Sequence, residues 1–297
     1  MRFERVLVTG AGGLLGRYAV SELAGRCAVS GLDLQAPGSP MPFVQASVCD
    51  GEAVARACRG QDAIVHIAAV PNPWAGSEDQ IMAVNVGGTW NVLRAAEEAG
   101  VRRVVLVSST ASLGFSFKPG EVRAPLHLPA CDGHPRRPVH AYGLSKKLCE
   151  ELGRGFADRG RLEIVVLRST FIAYPELKPE IVARARNPAN YRGPCAGGRQ
   201  PAGGGELWHH VDPRDVARAF RLALEMPKLR YAAFFVSAAT TLAPDPTLDR
   251  VRACLGYVPE VRKPGTYEAN PHAPLYDLAA ARDDLGFEAE YDCRSWV

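Results

Sequence analysis

The chain has 297 residues, 47% of them hydrophobic and 23% charged, with 35 basic against 32 acidic side chains and a formal charge of +3. These values exclude a disordered tail and give no electrostatic case for nucleic acid, leaving one large or two modest globular domains. Eight cysteines without a CxxC pair fit free thiols in a reducing, cytoplasmic setting, and no apolar stretch approaches the roughly 20 residues of a membrane span.

The opening segment carries charges at residues 2, 4 and 5 and a short apolar run cut by glycines, unlike a signal peptide. From there short β-branched runs alternate with longer helical patterns. Strands are expected at 6–8, 28–32, 63–67, 104–107 and 164–167, with helices at 14–24, 52–58, 79–99 and 143–157. Strand-helix alternation of this kind predicts an α/β fold, a doubly wound parallel sheet with right-handed crossovers. After about residue 170 the pattern loosens. The stretch 187–206 is rich in Gly and Pro and reads as a long loop. A helix at 213–225 and a strand at 232–236 follow, and a tail with helices at 248–255 and 278–285 reads as a small appended lobe.

Thr9 to Gly16 reads TGAGGLLG, directly after the first strand and opening the first helix. Glycines at 10, 13 and 16 permit a tight turn and let backbone approach a pyrophosphate at the helix N-terminus. Asp33 ends the second strand about 20 residues on, where a carboxylate can accept both ribose hydroxyls of a dinucleotide. The same carboxylate repels a 2'-phosphate, and no arginine occurs in residues 34–42. NAD is therefore favoured over NADP.

Tyr142 and Lys146 form Y-x-x-x-K at the start of a predicted helix, and this spacing puts both side chains on one face. The chain has only six lysines, so chance supplies about 0.2 such pairs and the motif alone is suggestive. Its chemistry is specific: a neighbouring ammonium and a positive nicotinamide both stabilise phenolate, so that the phenol can take a proton from a secondary alcohol as hydride leaves. A third hydroxyl is expected at the end of the strand 104–107. Ser109 is the candidate, with Thr110 as the alternative because the register of Ser108-Ser109-Thr110 is ambiguous.

Taken with HIAA (66–69), NVGGTWNVLRAA (85–96), VSSTASLG (107–114), YGLSK (142–146), LRSTFIAYP (167–175) and HVDPRDVARA (210–219), these features resemble the extended short-chain dehydrogenase/reductase family, in its NAD-dependent epimerase/dehydratase group. The resemblance implies a Rossmann-type domain over 1–170 plus about 207–237, and a substrate lobe from 171–206 and 238–297. It implies a cofactor groove lined by Gly10, Gly13, Leu15, Gly16, Asp33, Ser47, Val48, Ile67, Ala68, Ala69, Asn85 and Val107, with Lys146 on the nicotinamide ribose and Tyr142 as acid/base. A homodimer through the helices at 79–99 and from Tyr142 onward is implied as well.

Departures from the family pattern bear on the substrate. Ser47 stands where an adenine-contacting Asp is usual, and Phe171 stands near a position where nucleotide-sugar enzymes often have Asn. Glu206 replaces a diphosphate-clamping Arg, turning attraction into repulsion worth up to several kcal/mol in a partly desolvated site. A nucleotide-diphosphate substrate is disfavoured unless Arg186, Arg192 or Arg199 substitutes. Ala111 and Ser112 follow Thr110 in place of the dehydratase Asp-Glu pair, which argues against 4,6-dehydration. What remains is a dehydrogenase acting on a sugar, sugar acid or polyol, with an epimerase as the alternative and an NAD-binding regulator as a third reading. Thr110, Ser112, Arg168 and Phe171 are the candidate substrate contacts, Arg168 for a carboxylate, although a structural role for it is favoured.

His209, His210 and Asp212 suggest a metal only superficially, because no partner cluster accompanies them; no metal is expected. His66 reads as a satisfied core histidine. Trp74 and Trp208 fit substrate stacking or simple packing equally well.

Overall fold

The computed structural model describes residues 2–116, 123–186 and 208–297. Its strands are β1 (Arg5–Thr9), β2 (Ala28–Asp33), β3 (Phe43–Gln45), β4 (Ala63–His66), β5 (Arg103–Ser109), β6 (His127–Leu128), β7 (Glu163–Ser169), β8 (Phe171–Ile172), β9 (His210–Val211), β10 (Tyr231–Val236) and β11 (Glu260–Val261). Seven of these form one sheet in the order β10-β7-β5-β4-β1-β2-β3, and every pairing is parallel. The helices are α1 (Leu14–Leu23), α2 (Gly51–Cys58), α3 (Glu78–Ile81), α4 (Gly88–Glu98), α5 (Ala141–Asp158), α6 (Lys178–Arg186), α7 (Pro213–Glu225), α8 (Thr247–Leu255), α9 (Pro264–Ala269) and α10 (Ala279–Asp283).

The strands alternate side chains between two cores, as a sheet covered on both faces requires. Val6, Val8, Val65, Val105 and Val165 pack with Ala19 and Leu23 of α1 and Phe220 of α7 on one face. Leu7, Ile64, Val104, Leu106 and Ile164 pack with Val54 of α2, Val92 and Leu93 of α4 and Phe156 of α5 on the other. The predicted doubly wound sheet is therefore the one observed.

Three local differences have physical causes. β3 follows two prolines and is too short to show a period; it exists because Phe43 pairs with Gly31 and Gln45 with Asp33. The helix expected over 79–99 is divided by a π-helical segment, Met82–Gly87, between α3 and α4. The tail is also less separate than its sequence suggests. β11 pairs with β6, and Leu128 shares a small core with Val251, Tyr267 and Leu275, while Ala281, Leu285 and Phe287 return to the sheet core beside α7. The stretch 187–206, with Arg192, Arg199 and Glu206, lies outside the described residues, as does the side chain of Arg186.

One buried cation fastens the N-terminal edge of the sheet. Arg103 on β5 is fully buried; its Nε donates to Glu163 Oε2 (2.9 Å) on β7, and Nη2 reaches the same oxygen. Its remaining N–H groups serve the carbonyls of Ala223 (2.8 Å), Met226 (2.9 Å) and Pro227 (2.8 Å) at the end of α7. The guanidinium thus satisfies carbonyls that a helix terminus leaves without partners. Arg103→Ala strands these carbonyls and leaves Glu163 with Arg2 alone (3.2 Å), and is expected to cost about 3 kcal/mol, read as a lower urea midpoint with little change in slope; an unchanged midpoint would rule out this clamp.

Candidate active site

A cleft of about 880 Å³ runs along the carboxyl ends of β1, β2, β4, β5 and β7, where the strand order reverses. The glycine turn forms one wall. Gly10 has φ +77°, and a Cβ there would stand 2.7 Å from Ala68 N; a Cβ on Gly12 would stand 2.3 Å from Gln35 O. The turn is held by Asp33, whose Oδ2 accepts from Gly12 N (2.9 Å) and whose Oδ1 accepts from Gln35 N (3.3 Å). At the start of α1, Gly13 is the N-cap and no side chain caps the helix, so the first amides remain available to an anion.

The opposite wall is the start of α5. His140 caps it, its Nδ1 accepting from Gly143 N (3.0 Å). Tyr142 and Lys146 follow one turn apart, with the ammonium 5.8 Å from the phenol ring centre. Lys146 is buried, and its Nζ donates to Val107 O (2.9 Å) at the end of β5. Asn85 in the π segment sets the position of this helix. Its Oδ1 accepts from Val70 N (2.7 Å), and its Nδ2 donates to Val70 O (3.2 Å) and Ser145 Oγ (2.9 Å); Ser145 donates in turn to Tyr142 O (2.8 Å).

Ser109 closes β5 in an extended conformation and caps the following 3-10 turn, Thr110–Leu113, by accepting from Ala111 N (3.1 Å). Accepting that bond leaves the hydroxyl proton as a donor. Thr110 and Tyr276 line the same cleft, and burial pushes the Tyr276 phenol up to about 12.

The family model for the NAD dependent epimerase/dehydratase family matches residues 6–233. The chain belongs to this family. It is 37% identical over 170 residues to an L-arabinose 1-dehydrogenase (NAD(P)+) of Haloferax volcanii, covering 55% of this chain and 65% of that one. It is 34% identical over 172 residues to a uronate dehydrogenase of Pseudomonas putida, covering 56% and 60%. The chain thus matches less than two thirds of the length of either relative. A short-chain dehydrogenase/reductase superfamily protein from Agrobacterium tumefaciens, solved with bound NAD, superposes over 99% of this chain and 94% of its own, with a TM-score of 0.70 and 27% identity.

Most residues that the epimerase/dehydratase resemblance singles out line one cleft: Gly10, Gly13, Leu15, Gly16, Asp33, Ser47, Val48, Ile67, Ala68, Ala69, Val107, Tyr142 and Lys146, together with Ser109, Thr110 and Phe171. Three stand elsewhere. Asn85 is 1% exposed, with its amide spent on Val70 and Ser145, so it supports the cleft from behind. Ser112 is fully buried and donates to Glu150 Oε1 (3.3 Å). Arg168, one residue before the cleft-lining Ser169 on β7, faces the other way. Its Nη2 and Nε bind Glu150 Oε2 (2.8 and 3.1 Å), and its Nη1 donates to Asp132 O (2.9 Å). A buried guanidinium so committed has no reach toward a substrate.

Several wall residues escaped the sequence reading. Tyr276 and His209 come from beyond the loosened region, and Arg123 and His140 from the segment between β5 and α5. His209 Nε2 accepts from Leu275 N (3.0 Å), and its ring centre lies 4.7 Å from that of Tyr276. Burial pushes its pKa down to about 3, so it is neutral with its proton on Nδ1. His210 turns from the cleft to pair with Asp292 (3.1 Å). Trp208 is buried against Ala173 and Ile181, whereas Trp74 lines the cleft and is partly exposed.

His66 behind the turn links its two sides. Thr9 Oγ1 donates to His66 Nδ1 (2.7 Å) and His66 Nε2 donates to Thr89 Oγ1 (3.1 Å), which donates to Asn85 O (2.6 Å). Burial, reinforced by the Lys146 charge, pushes this imidazole down to about 3 from 6.5. His66 and His209 therefore stay neutral when folded while the unfolded chain binds protons below pH 6.5. The linkage is stabilising above the unfolded value and is lost as pH falls toward the folded one, at about 1.4 kcal/mol per pH unit for each histidine. Urea unfolding across this range should show a slope that His66→Gln reduces by about that amount; an unaltered slope would contradict the neutral imidazole.

Proposed function

We propose that this chain is an NAD-dependent oxidoreductase that takes hydride from a secondary alcohol of a sugar, sugar acid or polyol-like small molecule. The carrying observation is that Tyr142, Lys146 and Ser109 meet in the cleft that the glycine turn and Asp33 open. The dehydrogenase names of the two sugar-oxidising relatives agree with it.

The residues present fit NAD. The glycines form a cradle that a Cβ would fill, uncapped amides open α1, and a carboxylate stands at the end of β2. In this reading the turn holds the pyrophosphate, Asp33 the adenosine ribose and Lys146 the nicotinamide ribose. Ser47, Val48, Ile67, Ala68, Ala69 and Val107 wall the groove. NAD, when bound, supplies the hydride acceptor. Ser109 donates to the substrate oxygen and orients it, Tyr142 takes the hydroxyl proton, and the Lys146 ammonium stabilises the phenolate charge that develops. Thr110, Phe171, Tyr276 and His209 bound the substrate.

The division into a nucleotide-binding part (1–170 plus about 207–237) and a substrate lobe (171–206 and 238–297) agrees with β10 completing the sheet at Val236. A homodimer through α4 and α5 is supported by Trp90 and Leu144, which are 42% and 37% exposed there. Among the described residues every cysteine is a free thiol, in keeping with a cytoplasmic enzyme.

Incubation with excess NAD and a panel of sugars, sugar acids and polyols should yield stoichiometric NADH. Tightly retained NAD with isomerised product and no NADH would instead establish the epimerase. Tyr142→Phe should lower kcat about 10²–10⁴-fold while NAD affinity persists; turnover unmoved by that substitution would favour a regulatory NAD-binding protein. Light scattering should report twice the mass of the chain, and a monomeric mass would refute the dimer.

A further inference from the structure

We propose that Arg123 reads an anionic group on the substrate, so that the preferred sugar carries a carboxylate or a phosphate. The inference rests on the dehydrogenase reading and narrows its substrate class.

Arg123 is fixed to the strand end that carries Ser109. The 3-10 turn after Ser109 ends at Gly114 in the left-handed region (φ 78°), where a Cβ would stand 2.3 Å from Arg137 O. Two residues on, Ser116 and Arg123 pair backbone to backbone, Ser116 N to Arg123 O (3.1 Å) and Arg123 N to Ser116 O (2.7 Å). The arginine Nε donates to Gly114 O (3.2 Å). Backbone and stem are thereby held, and the side chain lines the same cleft as Ser109 and Tyr142. Its two terminal nitrogens carry the planar pair of donors that suits a carboxylate or phosphate.

The charge balance around it points the same way. Of the charged side chains lining the cleft, Asp33 lies at the glycine-turn end, bound to the Gly12 and Gln35 amides. The rest of the lining offers the cations Lys146 and Arg123 and no carboxylate among the described residues. Tyr276 and His209 add no compensating charge, since burial holds both neutral. Four other buried or half-buried arginines are matched by carboxylates, Arg103 with Glu163, Arg136 and Arg168 with Glu150, and Arg218 with Asp215, while Arg294 is spent on the carbonyls of Thr241 and Ala243. Arg123 is half-buried in a cleft that Phe115 and Val139 also line, and among the described residues no carboxylate pairs with it. A guanidinium in such surroundings gains most from an anion that arrives with the substrate. Arg168 is withheld from this task by Glu150 and Asp132.

The full chain with saturating NAD would be assayed on three classes of substrate: hexuronates, aldose 6-phosphates and uncharged aldoses. The preference for an anionic over an uncharged substrate, as a ratio of kcat/KM, should fall about 10–100-fold in Arg123→Gln, mostly through KM, as the loss of a charge-assisted pair implies. Arg123→Lys should recover part of it, and an unchanged NAD affinity would show that the cofactor groove is intact. The hexuronate and phosphate arms tell which anion is read. Uncharged aldoses used as well as either anionic class, or a preference unmoved in Arg123→Gln, would overturn the proposal. If no class yields NADH, the dehydrogenase reading fails by itself; titration of the NADH-bound protein with a hexuronate and an aldose 6-phosphate then tests Arg123 directly, and binding that Arg123→Gln leaves unaltered would sink it.

Discussion

The helix that carries Tyr142 and Lys146 is held in place by a side-chain amide inside a widened helical turn. Asn85 sits in the π segment between α3 and α4, where the extra residue per turn carries a side chain to a direction that uninterrupted α-helix would not give it. Three hydrogen bonds then fix Val70 after β4 and Ser145 in α5 against each other. With α5 at that depth, the Lys146 ammonium meets Val107 O and the Tyr142 ring faces the cleft. Behind it the chain of hydroxyl and imidazole groups from Thr9 through His66 and Thr89 ends on Asn85 O. The glycine turn and the tyrosine helix, distant in sequence, are thus positioned by one buried polar network. Each inner group is satisfied, which is the condition for such a network to rigidify a core rather than weaken it.

Buried ions do comparable work at both ends of the sheet. At the N-terminal edge Arg103 and Glu163 bind α7 to β5 and β7. At the carboxyl edge Glu150 collects Arg168, Arg136 and the hydroxyls of Ser108 and Ser112. A lone carboxylate so deep would be strongly unfavourable, and two guanidinium partners together with two hydroxyls offset that cost. The cluster holds Ser108 and Ser112 on either side of Ser109 in the chain, and so fixes the strand end that carries the Ser109 hydroxyl. It also sets two arginines apart: Arg168 completes the cluster, whereas Arg123 lines the cleft.

Local pattern made much of this legible. Apolar runs marked six of the seven strands of the sheet because strands buried on both faces are apolar at nearly every position. The glycine turn, Asp33 and the Tyr142-Lys146 spacing were readable because backbone approach and helical periodicity impose residue types at fixed intervals. β3 was not readable, since three residues after prolines carry no period, and neither was the π segment, since its helix looks continuous in composition. Arg168 illustrates the limit well. Its strand and its position were clear, but the face it takes follows from a partner, Glu150, on another element.

By itself, the sequence determined the layer architecture, the glycine turn and the chemical identity of the tyrosine, lysine and serine groups, because each depends on intervals of a few residues within one element. Only the tertiary structure decided which of these groups meet and which charges remain for a ligand. Asn85 turned out to be a support, Arg168 a buried counter-ion and Arg123 a wall of the cleft, while His209 and Tyr276 reached the same wall from segments far apart in the chain. Long-range contacts fix these roles: a side chain's partners depend on where the fold brings distant strands and helices, and no spacing along the chain encodes that directly.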